Sequence, residues 1–359
     1  MKFVLGASPF IIAGAALIGL GCGLQEHPHH SASPAHTNPG AGGSGDTGGS
    51  SGAGGSGGGG GEVVDPGTGG ASGGSTGADA GASADAGGTM IKRDAGRPRD
   101  AAPGEPTIDI NGTLVPRSKA IVFVHFGYSN MAGLAQSPQS LRSYFFTTQP
   151  QLWSYQGGGR FVAAKEPTAP DPPVHLGAGP GMAWLRAAAA AAGPDYHFIS
   201  VARGRGGATT EDYLKGGLYY STFMDKAVEL KGKVTFGGLF IMMGITDRHL
   251  PPADQDGFTD RMVKIIADIR ADLGEPNLPV LHTDYEVEAT GELAITAPVG
   301  MKFRPQIQKL PMRVANLALI PTDGTPLIDD HHFDMTGQKL WADRGIQLMI
   351  QRGWFPWTK

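Results

Sequence analysis

IVFVHFGYSNMAG, residues 121–133, is the stretch that decides the fold. Five of its first six residues are apolar. A strand buried on one face would alternate apolar and polar side chains, so a near-continuous run reads as a strand covered on both faces. Gly127 ends the run, and Tyr128, Ser129 and Asn130 follow before small and apolar residues resume. A buried strand that breaks into a short polar turn and then a helix is one βα step of a layered α/β protein. Ser129 has two readings at that step. It can cap the helix, since serine is a favoured N-cap, or it can be a nucleophile lying beside the free N–H groups of a helix start. The Gly-x-Ser-x-Gly elbow pattern fails here, because Met131 stands at its last position.

Four further apolar runs read as buried strands: 196–202, 235–243, 279–283 and 317–320. Helical stretches lie between them. Residues 181–192 (GMAWLRAAAAAA) have very high helix propensity and stop at Gly193-Pro194. Residues 254–273 place Phe258, Met262, Ile265, Ile266 and Ile269 on one face, and a last helix spans about 335–352. Alternating helices and doubly buried strands give an α/β fold, a three-layer α/β/α sandwich around a central parallel sheet, with right-handed crossovers. Ligands in such folds bind beyond the carboxyl ends of the strands. Polar or glycine-rich sequences stand at those ends: GYSN after 126, ARGRGGATTED after 201, GITDRH after 243 and TDYE after 282. A fifth cluster, DDHHF, precedes the last helix.

This domain is expected to occupy residues 107–359, a length that suits one core. Upstream, Met1-Lys2 and the apolar run FVLGASPFIIAGAALIGLGC form a signal peptide over residues 1–21. Cys22 is the only cysteine of the 359 residues, so no intramolecular disulfide can form. Residues 22–106 contain a Gly/Ser/Ala tract with too little apolar surface to offset its ordering entropy, and read as a disordered linker. A flexible coil of that length spans on the order of 50 Å. His27, His29, His30 and His36 lie in it and read as solvated linker residues. The net charge is −4 with no basic run, so nucleic acid is not an expected partner.

Several clusters carry chemistry. In Asp329-Asp330-His331-His332-Phe333 an acid three residues before a histidine can fold back and fix the imidazole tautomer. The same residues suit a metal, a surface loop or a cap. Gly206-Gly207-Ala208-Thr209-Thr210 lets the backbone approach a ligand closely, or simply makes a tight turn. Gly244-Ile245-Thr246-Asp247 ends the strand run LFIMM at the same sheet edge.

In their order, GYSNMAG, RGGATT, MGITD and DDHHF resemble the SGNH (GDSL-like) hydrolase superfamily, in its sialate O-acetylesterase and acetylxylan esterase-like branch. That branch has GQSNM, then GG with Ser or Thr, then QGESD, then Asp-x-x-His-Phe. The resemblance covers about residues 118–352 and implies the three-layer sandwich already read from periodicity. It implies Ser129 as nucleophile, His332 as general base and Asp329 as its orienting acid, with His331 and Asp330 as the alternative register. The oxyanion donors would be the N–H of Ser129 and that of Gly206 or Gly207. Thr246 stands where the wider superfamily has a donor Asn. Neither metal nor cofactor is implied. The implied reaction is removal of acetyl groups from O-acetylated carbohydrates through an acyl-enzyme. Gly19-Leu20-Gly21-Cys22 resembles a bacterial lipobox, which implies lipidation at Cys22 and an exported, membrane-anchored chain.

This sequence departs from the branch at four places. Tyr128 replaces Gln, while Met243, Ile245 and Thr246 replace Gln, Glu and Ser. Those losses support an alternative expectation, a non-catalytic glycan-binding or scaffold lipoprotein on the same fold. Arg203, Arg205, Arg248 and His249 are candidates to line a pocket for polar or acidic sugars.

Overall fold

A computed structural model of the chain describes residues 104–171, 176–285 and 297–357. The expected signal peptide, Cys22 and the linker up to residue 103 lie outside the described residues. Strands β1 (Thr107–Ile110) and β2 (Thr113–Pro116) form an antiparallel hairpin. β3 (Ala120–Gly127) carries the stretch quoted above and is buried at all eight positions. The helical turn α1 (Ser129–Ala132), α2 (Arg142–Phe146), β4 (Leu152–Tyr155) and β5 (Phe161–Ala163) follow. Next come α3 (Gly181–Ala192), β6 (His197–Gly204), α4 (Tyr220–Glu229) and β7 (Thr235–Met242). The chain continues through α5 (Pro252–Asp256), α6 (Phe258–Leu273) and β8 (Val280–Thr283). It ends with α7 (Pro298–Gln308), the turn α8 (Leu310–Arg313), β9 (Leu317–Ile320) and α9 (Met335–Gln351).

Seven strands form one sheet in the order β5-β4-β6-β3-β7-β8-β9, parallel except for β5. Without β4 and β5 the order is second, first, third, fourth, fifth, the flavodoxin-like winding. The connection leaving β3 travels toward β4, and the one leaving β7 travels toward β8. A crevice therefore opens beyond the carboxyl ends of β3 and β7. Helices cover both faces. α3 packs on α9 on one side, where Trp184 and Trp341 lie 5.4 Å apart between ring centroids. α4 packs on α6 on the other, where Phe126 stacks on Phe223 at 5.5 Å. The expected apolar face of α6 is buried at Phe258, Met262, Ile265, Ile266 and Ile269. Each such side chain removed from water contributes about 1.5–3 kcal/mol.

The sheet is wider than the sequence runs announced. β4 and β5 were not expected, since LWSY and FVA are short segments that leave Trp153, Val162 and Ala163 partly in solvent. Ser154 interrupts LWSY and FVA is only three residues long, so neither gives the apolar run by which the other strands were read. The helix expected over 254–273 is two helices broken at Gly257. The Asp254 carbonyl, which a continuous helix would offer to the Phe258 N–H, instead accepts from the Gly257 N–H at 3.1 Å and from Arg261 Nη1 at 2.5 Å. Glycine at the break adds the weakest helix former after proline.

His125 in β3 carries a consequence for pH. It is wholly buried, packs 5.1 Å from Phe240 by ring centroid, and neither ring nitrogen has a hydrogen-bond partner among the described residues. Burial pushes its pKa down from 6.5 to about 3. In the window between those values the unfolded chain binds the proton and the folded chain does not. The stability is therefore fully present above pH 6.5 and is lost as pH falls toward 3. The expected loss is about 1.4 kcal/mol per pH unit. His282 in β8 is also buried, with its pKa pushed down to about 4, and acts in the same direction. His125→Leu is expected to shift the acid unfolding midpoint, read by circular dichroism, to lower pH. An unchanged midpoint would show that His125 does not govern the acid limb.

Candidate active site

The carboxyl end of β3 sets the position of Ser129. The Tyr128 N–H donates to the Met242 carbonyl at 3.1 Å, which fixes the turn against β7. The N–H groups of Met131 and Ala132 then donate back to the Tyr128 carbonyl, closing α1. The residue that caps α1 is Tyr128, and Ser129 is the first helical residue. The cap reading of Ser129 therefore gives way, and its hydroxyl is engaged elsewhere. α1 lies directly on β6: a Cβ at Gly204 would stand 2.3 Å from the Ala132 Cα and 2.4 Å from its nitrogen. Only glycine admits the turn this close to the strand end.

The DDHHF cluster approaches from the loop between β9 and α9. Asp334 caps α9, its Oδ1 accepting from the Gly337 N–H at 2.7 Å, and a bridge between Leu327 and Phe333 closes the loop. Asp329 folds back as its spacing suggested. Its Oδ1 accepts from the backbone N–H of His331 at 3.0 Å and of His332 at 2.7 Å, while its Oδ2 lies 2.6 Å from His332 Nδ1. His332 Nε2 lies 2.6 Å from Ser129 Oγ. Partial burial alone would raise the Asp329 pKa, but those N–H groups and the His332 imidazole hold it below the usual carboxylate range. An ionised Asp329 only accepts, so the proton of neutral His332 sits on Nδ1 and Nε2 faces the serine hydroxyl as acceptor. Burial and the neighbouring His331 push the His332 pKa down, against the pull of Asp329 and Asp330. The imidazole is thus held neutral and ready to take a proton.

His332 is the histidine that reaches Ser129. His331, the alternative register, pairs with Asp330 at 2.5 Å between Nδ1 and Oδ1. The nitrogens of His331 and His332 and a carboxylate oxygen of Asp329 all lie within 4.8 Å of one another, the only potential metal-ligand group of this kind among the described residues.

The other expected oxyanion donors are placed differently. The Gly206 N–H donates to Asp171 Oδ2 at 2.9 Å, and Asp171 also pairs with Arg205. Of the two glycines, Gly207 is the one with φ of +73°, at the bend closed by the Ala208 N–H donating to the Arg205 carbonyl. The Thr246 hydroxyl donates to the Ala208 carbonyl, so its single proton serves to tie two loops together. Asp247 is buried and accepts from the Thr210 N–H and hydroxyl and from Arg261 Nη2 at 3.2 Å. Of the four candidates for a polar pocket, Arg203 lies over the Tyr219 ring at 4.9 Å and Arg205 is held by Asp171. Arg248 and His249 belong to the helical turn at Ile245–His249.

Sequence reasoning missed Asn130. Its side chain is fully buried and binds both residues that flank His332. Nδ2 donates to the His331 carbonyl at 3.0 Å, and Oδ1 accepts from the Phe333 N–H at 2.9 Å. Nδ2 also donates to the Tyr128 hydroxyl at 3.0 Å, and the Asn130 carbonyl accepts from Gln338 Nε2 at 2.9 Å. The amide next to the serine thus clamps the backbone on either side of the histidine. Tyr128, which replaces the Gln of the resembling branch, is buried and joins this clamp through its hydroxyl. The one local signal was position: Asn130 adjoins Ser129, while its histidine-side partners lie 201 and 203 residues away.

A family model described as SASA, carbohydrate esterase, sialic acid-specific acetylesterase, matches residues 119–351. No curated protein matches the chain significantly. Among solved structures, a protein from Arabidopsis thaliana is 20% identical, with 64% of this chain and 98% of that one covered at a TM-score of 0.54. The structure of NanS is 12% identical, with 67% and 99% covered and a TM-score of 0.52. At such identities these two likenesses concern the fold.

Proposed function

The chain belongs to the carbohydrate esterase family of sialic acid-specific acetylesterases, and from that premise we propose that it is a serine esterase that removes acetyl groups from O-acetylated carbohydrates through an acyl-enzyme. The observation that supports this reading is the continuous line from Asp329 Oδ2 to His332 Nδ1 and from Nε2 to Ser129 Oγ, each contact 2.6 Å long. In this reading His332 takes the Ser129 proton as the oxygen attacks the acetyl carbonyl. The oxyanion is met by the N–H groups of Ser129 and Gly207. His332 then gives the proton to the departing sugar hydroxyl, and water repeats the cycle on the acetyl-serine. Because His332 stays neutral below its usual range, the acid limb of kcat/KM should lie below pH 6.5. The proposal extends to export and to a membrane tether through a lipidated Cys22, which rests on the N-terminal sequence alone.

A second reading, a non-catalytic glycan-binding lipoprotein, draws support from the Thr246 hydroxyl and the Gly206 N–H, both committed inside the protein. Losing one oxyanion donor lowers kcat about 10²- to 10³-fold. Two measurements separate the readings. Release of acetate from an O-acetylated glycan, together with fluorophosphonate labelling mapped to Ser129, is expected of the esterase. Sugar binding with neither acetate release nor label would select the binding protein.

A further inference from the structure

The geometry points to an inhibitory site for a borderline transition cation such as Zn²⁺, built from His331, His332 and Asp329, and we propose that occupancy of this site switches the esterase off. The inference rests on the esterase reading for its effect and on the loop alone for binding. His332 Nδ1 lies 2.6 Å from Asp329 Oδ2, and His331 Nδ1 lies 3.8 Å from Asp329 Oδ1. The Asp330 carboxylate adds an oxygen 2.5 Å from His331 Nδ1. The two imidazole rings lie side by side, 3.8 Å apart between centroids. Ligands about 2.0 Å from zinc in a tetrahedron stand roughly 3.3 Å apart. The two carboxylate contacts fall on either side of that value, and one ligand atom from each of the three residues already lies within 4.8 Å of the others, so small side-chain adjustments bring them onto one cation. Two imidazole nitrogens with a carboxylate favour zinc, copper or nickel over magnesium or calcium, which prefer oxygen ligands. Asp329 and Asp330 are each 44% exposed at the side chain, so the cation can enter from solvent.

Inhibition follows from proton placement. In the active arrangement the His332 proton sits on Nδ1 and the Nε2 lone pair faces Ser129. A cation bonded to the Nδ1 lone pair leaves the ring neutral only if its single proton resides on Nε2. The proton is lost from Nδ1 and one is taken up at Nε2, with no net change and no electron transfer. Nε2–H then faces Ser129 Oγ with no lone pair left to receive the hydroxyl proton. Asp329, bonded to the cation, also ceases to orient the base.

The test uses the full chain, titrated with ZnCl₂ or MgCl₂ in a non-chelating buffer. Calorimetry is expected to show a micromolar Zn²⁺ site in wild type that His331→Gln loses. The substitution keeps the backbone contacts of His331, and subtracting its isotherm removes binding by the linker histidines. p-Nitrophenyl acetate turnover should fall at least tenfold in Zn²⁺ and return with EDTA. Measured against its own metal-free turnover, His331→Gln should need at least tenfold more Zn²⁺ for the same fractional inhibition, while Mg²⁺ has no effect. Equal Zn²⁺ isotherms for wild type and His331→Gln overturn the site, whatever the turnover. If His331→Gln fails to fold, a crystal of the wild type soaked in Zn²⁺ decides, and anomalous density away from this triad overturns it. A wild type without turnover would count against the esterase reading and leave the calorimetry to decide the site.

Discussion

Replacement of Ser129 by alanine is expected to lower kcat for ester hydrolysis by roughly 10⁴- to 10⁶-fold, the range seen when a triad nucleophile is removed. The hydroxyl is the atom that His332 Nε2 meets at 2.6 Å. Neither α1 nor its contacts depend on that hydroxyl, since Tyr128 and not Ser129 caps the turn. The variant should therefore unfold at nearly the wild-type temperature, since the substitution, although at a buried residue, removes a single oxygen. Steady-state turnover of p-nitrophenyl acetate and of an acetylated glycan, alongside a thermal melt, reads both quantities. Turnover that survives in Ser129→Ala with the fold intact would place the nucleophile elsewhere and sink the proposed mechanism.

The second large effect is expected at Asn130, a residue that touches no reacting atom. Asn130→Ala removes the donor to the His331 carbonyl and the acceptor for the Phe333 N–H. Each group left buried without a partner costs about 1–3 kcal/mol, so a fall in melting temperature is expected. The positioning effect is separate. With both flanks of His332 released, a displacement of about 1 Å between base and nucleophile is worth on the order of 10²-fold in rate. kcat should fall by that factor while KM stays near the wild-type value, and the rate of fluorophosphonate labelling per folded molecule should fall in step. A purely structural role would lower the melting temperature and leave the labelling rate of the folded fraction unchanged. Asn130→Asp keeps the acceptor for Phe333 but sets an oxygen against the His331 carbonyl. It should rescue neither rate nor stability.

Much of the architecture was legible because buried parallel strands must be apolar on both faces. The runs at 120–126, 196–202, 235–243, 279–283 and 317–320 appear as β3, β6, β7, β8 and β9, shifted by one or two residues at some ends. The edge of the sheet was not legible. β4 and β5 are partly exposed, and the hairpin of β1 and β2 consists of four-residue strands. Of the site, Asp329 and His332 could be paired from a spacing of three, since a carboxylate at that distance reaches both the backbone and the ring. The Thr246 and Gly206 assignments came from alignment of motifs. Alignment does not see which acceptor a hydroxyl or an N–H finds first in the folded chain, and here these are Ala208 and Asp171.

The sequence by itself determined the α/β/α class and the central strand ending in a serine turn, and it offered the fold-back of Asp329 on His332 as one of several readings of that cluster. Those features depend on periodicity and on contacts within a few residues, which the order of side chains dictates locally. The tertiary structure alone decided that Ser129 is not a cap, that Asn130 holds the histidine loop, and that His331 and His332 share one carboxylate beside the nucleophile. Ser129 and His332 are 203 residues apart in the chain. Only the packing of the loop between β9 and α9, and of the start of α9, against α1 brings hydroxyl and imidazole within one hydrogen bond, and no local pattern encodes a distance closed by packing.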